Sequence, residues 1–209
     1  LHLSLRRQRQ MCIRDRYNVE KNIINLKKEV KKILIIGGSQ GASFFDENIT
    51  ELIIEISKKR SFEVLQQISN NNNLSLIKNK YDKSNINYKF IEFTNDSHEL
   101  YNGIDLAITR GGASTLSELS FLNIPFISIP LPSARDNHQF YNSEFYYKKN
   151  CCWLINQKEF EFKKFSKIIF EIFNDYQNYN EKFKNLAEIT KKNTWNNINN
   201  KIIEIIDEN

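Results

Sequence analysis

The apolar positions along the chain alternate between two textures. Short runs rich in β-branched and aromatic residues occupy positions 33–36, 62–67, 88–93, 104–109, 125–129 and 151–155. Between them, apolar residues recur at spacings of three and four: Phe45, Ile49, Leu52, Ile53 and Ile56, and later Phe162, Phe165, Ile169 and Ile172. That period belongs to a helix burying one stripe. Near-continuous apolar strands separated by amphipathic helices specify a parallel sheet covered on both faces. The pattern therefore predicts an α/β fold, a doubly wound, Rossmann-like parallel sheet of about six strands. The polar tract at 70–73 reads as a loop or a frayed helix start, and Trp195, Ile198, Ile202, Ile205 and Ile206 as an amphipathic terminal helix. No internal repeat, long linker or second core interrupts the pattern, so one domain is expected.

Composition supports a packed core. Of 209 residues, 40% are hydrophobic and 12% aromatic, enough apolar surface to exclude a disordered chain or a disulfide-stapled miniprotein. The formal charge of +5 suggests a polyanionic partner until its location is considered. Residues 1–16 carry Arg6, Arg7, Arg9, Arg14 and Arg16 against one acid, Asp15, and the rest of the chain holds 25 basic and 24 acidic residues. Outside that head the only arginines are Arg60, Arg110 and Arg135, and the body relies on Lys and is rich in Asn (28 in all). The composition break, together with the missing initial Met, marks residues 1–16 as a leader foreign to the fold, leaving 17–209 as the domain. No aromatic interleaving accompanies the arginines, so no nucleic-acid partner is expected. No run approaches the ~18 apolar residues of a spanning helix, and a soluble or peripheral protein is expected. Three cysteines, Cys12, Cys151 and Cys152, cannot form a disulfide framework, and no ligand spacing suggests a metal.

In an open parallel sheet, ligands bind at the carboxyl ends of the strands. The first strand runs into Gly37-Gly38-Ser39-Gln40-Gly41-Ala42, and the fourth into Thr109-Arg110-Gly111-Gly112-Ala113-Ser114-Thr115, each opening a helix. Glycines let a backbone approach a phosphate, and a helix start offers it unpaired N–H groups and a positive dipole end; a tight turn needing positive φ is the plain alternative. The first motif lacks the dinucleotide spacing and has Lys58, Lys59 and Arg60 where a ribose-binding acid belongs, and it lacks the Gly-Lys-Ser/Thr ending of a P-loop. Glu118, read as lying in the first turn of the helix after the fourth strand, is placed to accept two ribose hydroxyls, while the N–H groups of Ser114 and Thr115 hold a phosphate. After the fifth strand, Asp136-Asn137-His138-Gln139-Phe140-Tyr141-Asn142 supplies neutral donors and acceptors suited to a sugar, with His138 and Gln139 as contacts.

These three motifs, Gly-Gly-Ser-Gln-Gly-Ala, Arg-Gly-Gly-Ala-Ser-Thr-x-x-Glu and Asp-x-His-Gln-x-x-Asn, resemble the carboxyl-terminal half of the peptidoglycan N-acetylglucosaminyltransferases of glycosyltransferase family 28, over about residues 33–174. The resemblance implies half of a two-domain GT-B enzyme. That enzyme moves N-acetylglucosamine from UDP-GlcNAc to the undecaprenyl-pyrophosphoryl-MurNAc-pentapeptide, lipid I, with inversion and with neither metal nor cofactor. It implies that Gly38, Ser39 and Gln40 meet the diphosphate, that the Thr94 backbone pairs with uracil, and that Ala113, Ser114 and Thr115 cradle the α-phosphate. Glu118 would bind the ribose, and His138, Gln139 and Asn142 would surround the sugar and diphosphate. The family's amino-terminal acceptor domain, with its Gly-rich loop and catalytic base, has no counterpart among these residues. The implied location is peripheral, on the cytoplasmic side of a bacterial inner membrane. A stand-alone donor subunit of a split transferase and a non-catalytic nucleotide-sugar sensor remain alternatives.

Overall fold

The computed structural model describes residues 29–37, 42–68, 71–91 and 100–192. The segment 1–16 read as a leader, the polar residues at 69–70 and the terminal helix expected beyond 192 lie outside them. Six strands, β1 (Lys32–Ile36), β2 (Glu63–Gln67), β3 (Asn87–Ile91), β4 (Leu106–Thr109), β5 (Phe126–Ser128) and β6 (Cys152–Leu154), form one sheet in the order β3-β2-β1-β4-β5-β6. Every pairing is parallel. Each apolar run of the sequence supplies one strand.

The inner strands are apolar on both sides because both sides are covered. Along β1, Ile33 and Ile35 enter one core layer, while Leu34 and Ile36 enter the other, as the two-residue period of a strand requires. β4 divides likewise, Leu106 and Ile108 against Ala107, and β5 sends Ile127 one way and Phe126 the other. The first layer is closed by α1 (Thr50–Ser57), α2 (Asn71–Asp82) and α5 (Phe162–Asn174), through Leu52, Ile53, Ile56, Ile77, Tyr81, Phe165, Ile169 and Ile172. Phe162, expected in the α5 stripe, is 39% exposed; it is the first residue of the helix, where the stripe has not yet reached the sheet. The second layer is closed by α3 (Ala113–Phe121) and α4 (His138–Lys148), with Leu116 and Leu119 buried and Tyr146 packed alongside.

The last helix, α6 (Tyr176–Lys192), contributes to both layers, Tyr179 to the first and Leu186 to the second. Tyr179 Oη donates to Asp105 O at 2.6 Å, and the Asp105 carboxylate accepts from the N–H groups of Lys31 (2.8 Å) and Lys32 (3.0 Å). These contacts tie α6 and the entries to β1 and β4 together at the amino edge of the sheet, leaving the carboxyl edge free of α6.

The helix before α1 is not regular. A single α-turn, Ala42–Phe44, widens into a π-helical stretch, Phe45–Ile49, before α1 begins. One extra residue in the turn keeps Phe45 and Ile49 in the apolar layer and turns Asp46 and Thr50 toward Gln66 of β2. Gln66 Nε2 donates to Thr50 Oγ1 (3.1 Å) and approaches Asp46 Oδ1 (3.5 Å), and Tyr81 Oη donates to Gln66 Oε1 (2.6 Å). All four residues are buried. Mutual hydrogen bonding is what makes so polar a cluster tolerable there.

Candidate functional site

Register brings the three sequence motifs to one place. Ile36 pairs with Thr109, Thr109 with Ser128, and Ser128 with Leu154, so the strands β1, β4, β5 and β6 end in one row. The chain leaves β1 toward β2 and leaves β4 toward β5. The β1/β4 boundary is therefore the switch point of the sheet, where a doubly wound fold opens a crevice. Gly37 and the segment Arg110-Gly111-Gly112 flank it. Gly38, Ser39, Gln40 and Thr94, expected at the diphosphate and the base, lie outside the described residues.

Gly112 is the N-cap of α3, in extended geometry (φ −67°, ψ 128°), a residue with no side chain to cap the helix. The first turn, Ala113, Ser114 and Thr115, therefore presents its backbone N–H groups at the carboxyl edge of the sheet, where an anion is favoured. A positive φ is not the reason for either glycine, since neither lies in the left-handed region. A Cβ at Gly111 would stand 2.2 Å from Gln139 O and 2.6 Å from Ser143 Oγ, whereas one at Gly112 would meet only Thr115 Oγ1, at 3.9 Å. Gly111 thus serves close packing of α4 on the turn, and Gly112 leaves open space.

Glu118 is the sixth residue of α3 and so stands in its second turn; the expectation of a first-turn acid is corrected, because the helix starts at Ala113. The helix dipole, whose effect fades within the first turn, does not account for an acid at this position. Its Oε2 accepts from Tyr101 Oη at 2.8 Å, which holds the half-buried carboxylate in one orientation.

A turn precedes α4. Asp136 and Asn137, within the 3-10 segment Arg135–Asn137, have φ of 52° and 50°. Two consecutive non-glycine residues in the left-handed region are a strained arrangement of the kind found around ligand sites. Beyond it, His138 Nδ1 is 2.7 Å from Arg135 O. Gln139 Oε1 accepts from Leu131 N–H (3.0 Å), and Asn142 Nδ2 donates to Gly111 O (3.0 Å). Ser128 Oγ, Ser143 Oγ and Gln139 O form a hydrogen-bonded chain with spacings of 2.7 and 2.8 Å. The expected ligand residues of α4 are thus brought to the same edge as α3. Gln139 and Asn142 each spend one polar atom there on building the loops.

The residue that sequence reasoning passed over is Arg110. It is 5% exposed, donates from Nη1 to Ile129 O (3.1 Å) and to Gln157 Oε1, and lies over the rings of Phe45 (4.7 Å) and Phe44 (5.3 Å). Burial lowers its pKa to about 10, so it stays charged at neutral pH. One guanidinium joins the helix after β1, the end of β4, the end of β5 and the loop after β6. Its rarity outside the leader was the available signal. Tyr101 and Ser143 carried none. Among the described residues no cluster of three or more His, Cys, Asp or Glu side chains could hold a metal, and no helix is long and apolar enough to cross a membrane.

The architecture is that of the Rossmann-like half of a GT-B glycosyltransferase. The crystal structure of MurG from Acinetobacter baumannii superposes with a TM-score of 0.68 at 20% identity, over 88% of this chain and 48% of that one. UDP-GlcNAc 2-epimerase from Neisseria meningitidis, solved bound to UDP-GlcNAc, matches at 0.59 and 16% identity over 99% and 49%. At such identities these likenesses concern the fold alone. In sequence, the glycosyltransferase family 28 C-terminal domain matches residues 32–198. The UDP-N-acetylglucosamine–N-acetylmuramyl-(pentapeptide) pyrophosphoryl-undecaprenol N-acetylglucosamine transferase of Pelagibacter ubique is 43% identical over 193 residues, 92% of this chain and 52% of its own. The enzyme of the same name from Rickettsia bellii is 37% identical over 186 residues, 83% of this chain and 52% of its own. The chain belongs to glycosyltransferase family 28, as its C-terminal domain. It spans about half the length of these curated relatives.

Proposed function

We propose that this chain is the donor-binding half of an inverting N-acetylglucosaminyltransferase that uses UDP-GlcNAc and delivers the sugar to a polyprenyl-pyrophosphoryl-MurNAc-pentapeptide. The observation that carries the reading is the single row of strand ends, which gathers the glycine-led N-terminus of α3, the tethered Glu118 and the α4 residues at one edge of the sheet. In this reading Gly38, Ser39 and Gln40, with the N–H groups of Ala113, Ser114 and Thr115, hold the diphosphate. Thr94 meets the base, Glu118 the ribose diol, and His138, Gln139 and Asn142 the sugar. In this reading the acceptor site and the catalytic base belong to the amino-terminal half of such an enzyme, which meets the cytoplasmic face of the membrane peripherally as a whole.

The chemistry asked of this half is electrostatic. As the glycosidic bond breaks, negative charge grows on the leaving diphosphate, and fixed N–H donors at a helix end stabilise it without reorganising. The guanidinium of Arg110, shielded from water behind the same loops, adds a fixed positive charge. Glu118 fixes the nucleoside so that the diphosphate falls on those donors.

Calorimetry with UDP-GlcNAc tests the assignment. Loss of a charge-assisted hydrogen-bonded pair costs ~1.5 to 3 kcal/mol, so Glu118→Ala should weaken binding about tenfold to a hundredfold. Unchanged affinity would remove the ribose role. Robust turnover of lipid I by this chain alone would refute its being half an enzyme.

A further inference from the structure

The phenol that holds Glu118 belongs to the core. Tyr101 is 6% exposed, and its ring shares the second apolar layer with Leu116 and Leu119, two residues of the helix that carries Glu118. Its backbone is fixed as well: Tyr101 O accepts from Ile104 N–H (3.3 Å), and Gly103, at φ 71°, lies in the turn that leads into β4. Oη therefore stands at a set point, and its bond of 2.8 Å to Oε2 places the Glu118 carboxylate. Fixing the torsions of a glutamate at the moment of binding costs conformational entropy. Here that ordering happens on folding, so a ligand meets a carboxylate already in position.

The chemistry of the partner matters as much as its place. A phenol donates one hydrogen and brings no positive charge. It occupies one acceptor site on Oε2 and leaves the carboxylate its charge and the rest of its roughly four lone-pair sites, enough for both hydroxyls of a diol. A lysine or arginine in its place would offset that charge and compete for those sites with several N–H donors. Among the described residues, the hydrogen-bond partner of the Glu118 side chain is Tyr101.

We infer that Tyr101 is a positioning residue for the nucleoside: it holds Glu118 in the orientation from which the carboxylate accepts from both hydroxyls of a ribose, and so sets a preference for ribonucleotides. The inference rests on the proposed role of Glu118 at the ribose and adds the group through which that role is exercised. Buried as it is, Tyr101 acts through Glu118, and its loss is felt at the diol and not on the rest of the nucleotide.

The test compares UDP with 2′,3′-dideoxy-UDP, which lacks both hydroxyls, by calorimetry on the full chain, on Tyr101→Phe, on Glu118→Ala and on the double variant. Phenylalanine keeps the buried ring and removes only the hydroxyl. Wild type should bind UDP about tenfold or more tighter than the dideoxy compound. In Tyr101→Phe that preference should fall about threefold or more, with affinity for the dideoxy compound within about twofold of wild type. In Glu118→Ala the preference should be lost, and adding Tyr101→Phe should change it no further. An unchanged or larger preference in Tyr101→Phe, an equal loss for both nucleotides, or a change on adding Tyr101→Phe to Glu118→Ala would overturn the inference while leaving the ribose contact standing. A wild type that binds neither nucleotide or shows no preference, or a Glu118→Ala variant that keeps the preference, would overturn the Glu118 assignment and the inference with it.

Discussion

Arg110 occupies a position that a lysine cannot fill. Its planar fork serves two acceptors on different loops, Ile129 O and Gln157 Oε1, while its face covers the rings of Phe44 and Phe45. A lysine offers a compact ammonium that is harder to desolvate and has no face to stack. Arg110→Lys should lower stability by about 2 to 4 kcal/mol in urea denaturation, and a wild-type midpoint would show that charge alone suffices. The two buried thiols give a pH signature. Burial pushes Cys151 up to about 11 and Cys152 up to about 12, and it also raises Tyr81 and Tyr179. For an acid whose folded pKa is raised, stability is complete below the unfolded value, about 8.5 for a thiol, and is lost as pH rises toward the folded one. The urea midpoint should therefore fall between about pH 8 and pH 11, less steeply in Cys152→Ala. An equal slope in that variant would refute the thiol contribution.

At the scale of elements, α4 packs closely on the turn before α3. Gly111→Ala places a methyl 2.2 Å from a backbone oxygen of α4, so the helix must move. The expected cost is about 1 to 3 kcal/mol, with weaker UDP-GlcNAc binding because α4 carries His138 and Gln139. Gly112→Ala, whose methyl would meet only Thr115 Oγ1 at 3.9 Å, should cost less, through the poorer N-cap alone; equal losses in the two variants would contradict the packing argument. The strands were legible because each is a short apolar run, and α1 and α5 because each carries a periodic stripe; α4, which buries only Ser143, carries none. The π-helical turn was not legible, since the step of four from Phe45 to Ile49 reads equally as an α-helical one. Glu118 would be a first-turn residue only if the helix began at Thr115, two residues later than it does. Residue types at 138–142 pointed to polar contacts, but their spacing could not say that Gln139 and Asn142 would also brace Leu131 and Gly111.

At the scale of the whole molecule, the opening charge of +5 has little to do with the domain, which is close to neutral outside the first sixteen residues. An anionic ligand would be drawn by helix ends and one buried guanidinium rather than by a basic surface, so its affinity should depend only weakly on salt. Ligand-linked stability checks this at the level of the fold. With UDP-GlcNAc at about a hundred times its dissociation constant, the domain should gain about 2.7 kcal/mol, equivalent to roughly 5 to 10 °C in melting temperature for this size. No shift at saturating ligand would count against a donor site in the isolated chain. The position of β1 also bears on assembly. It is the earliest strand in the described chain yet sits at the centre of the sheet, pairing Ile33 with Leu106 and drawing the Lys31 and Lys32 amides to Asp105, 74 and 73 residues away. Such long-range parallel pairing slows folding. While the ribosome is still making the segment before β4, β1 can pair on one side only, and its other edge stays open to wrong partners. The strand that organises the finished site is made first, yet during synthesis it is enclosed only after β2.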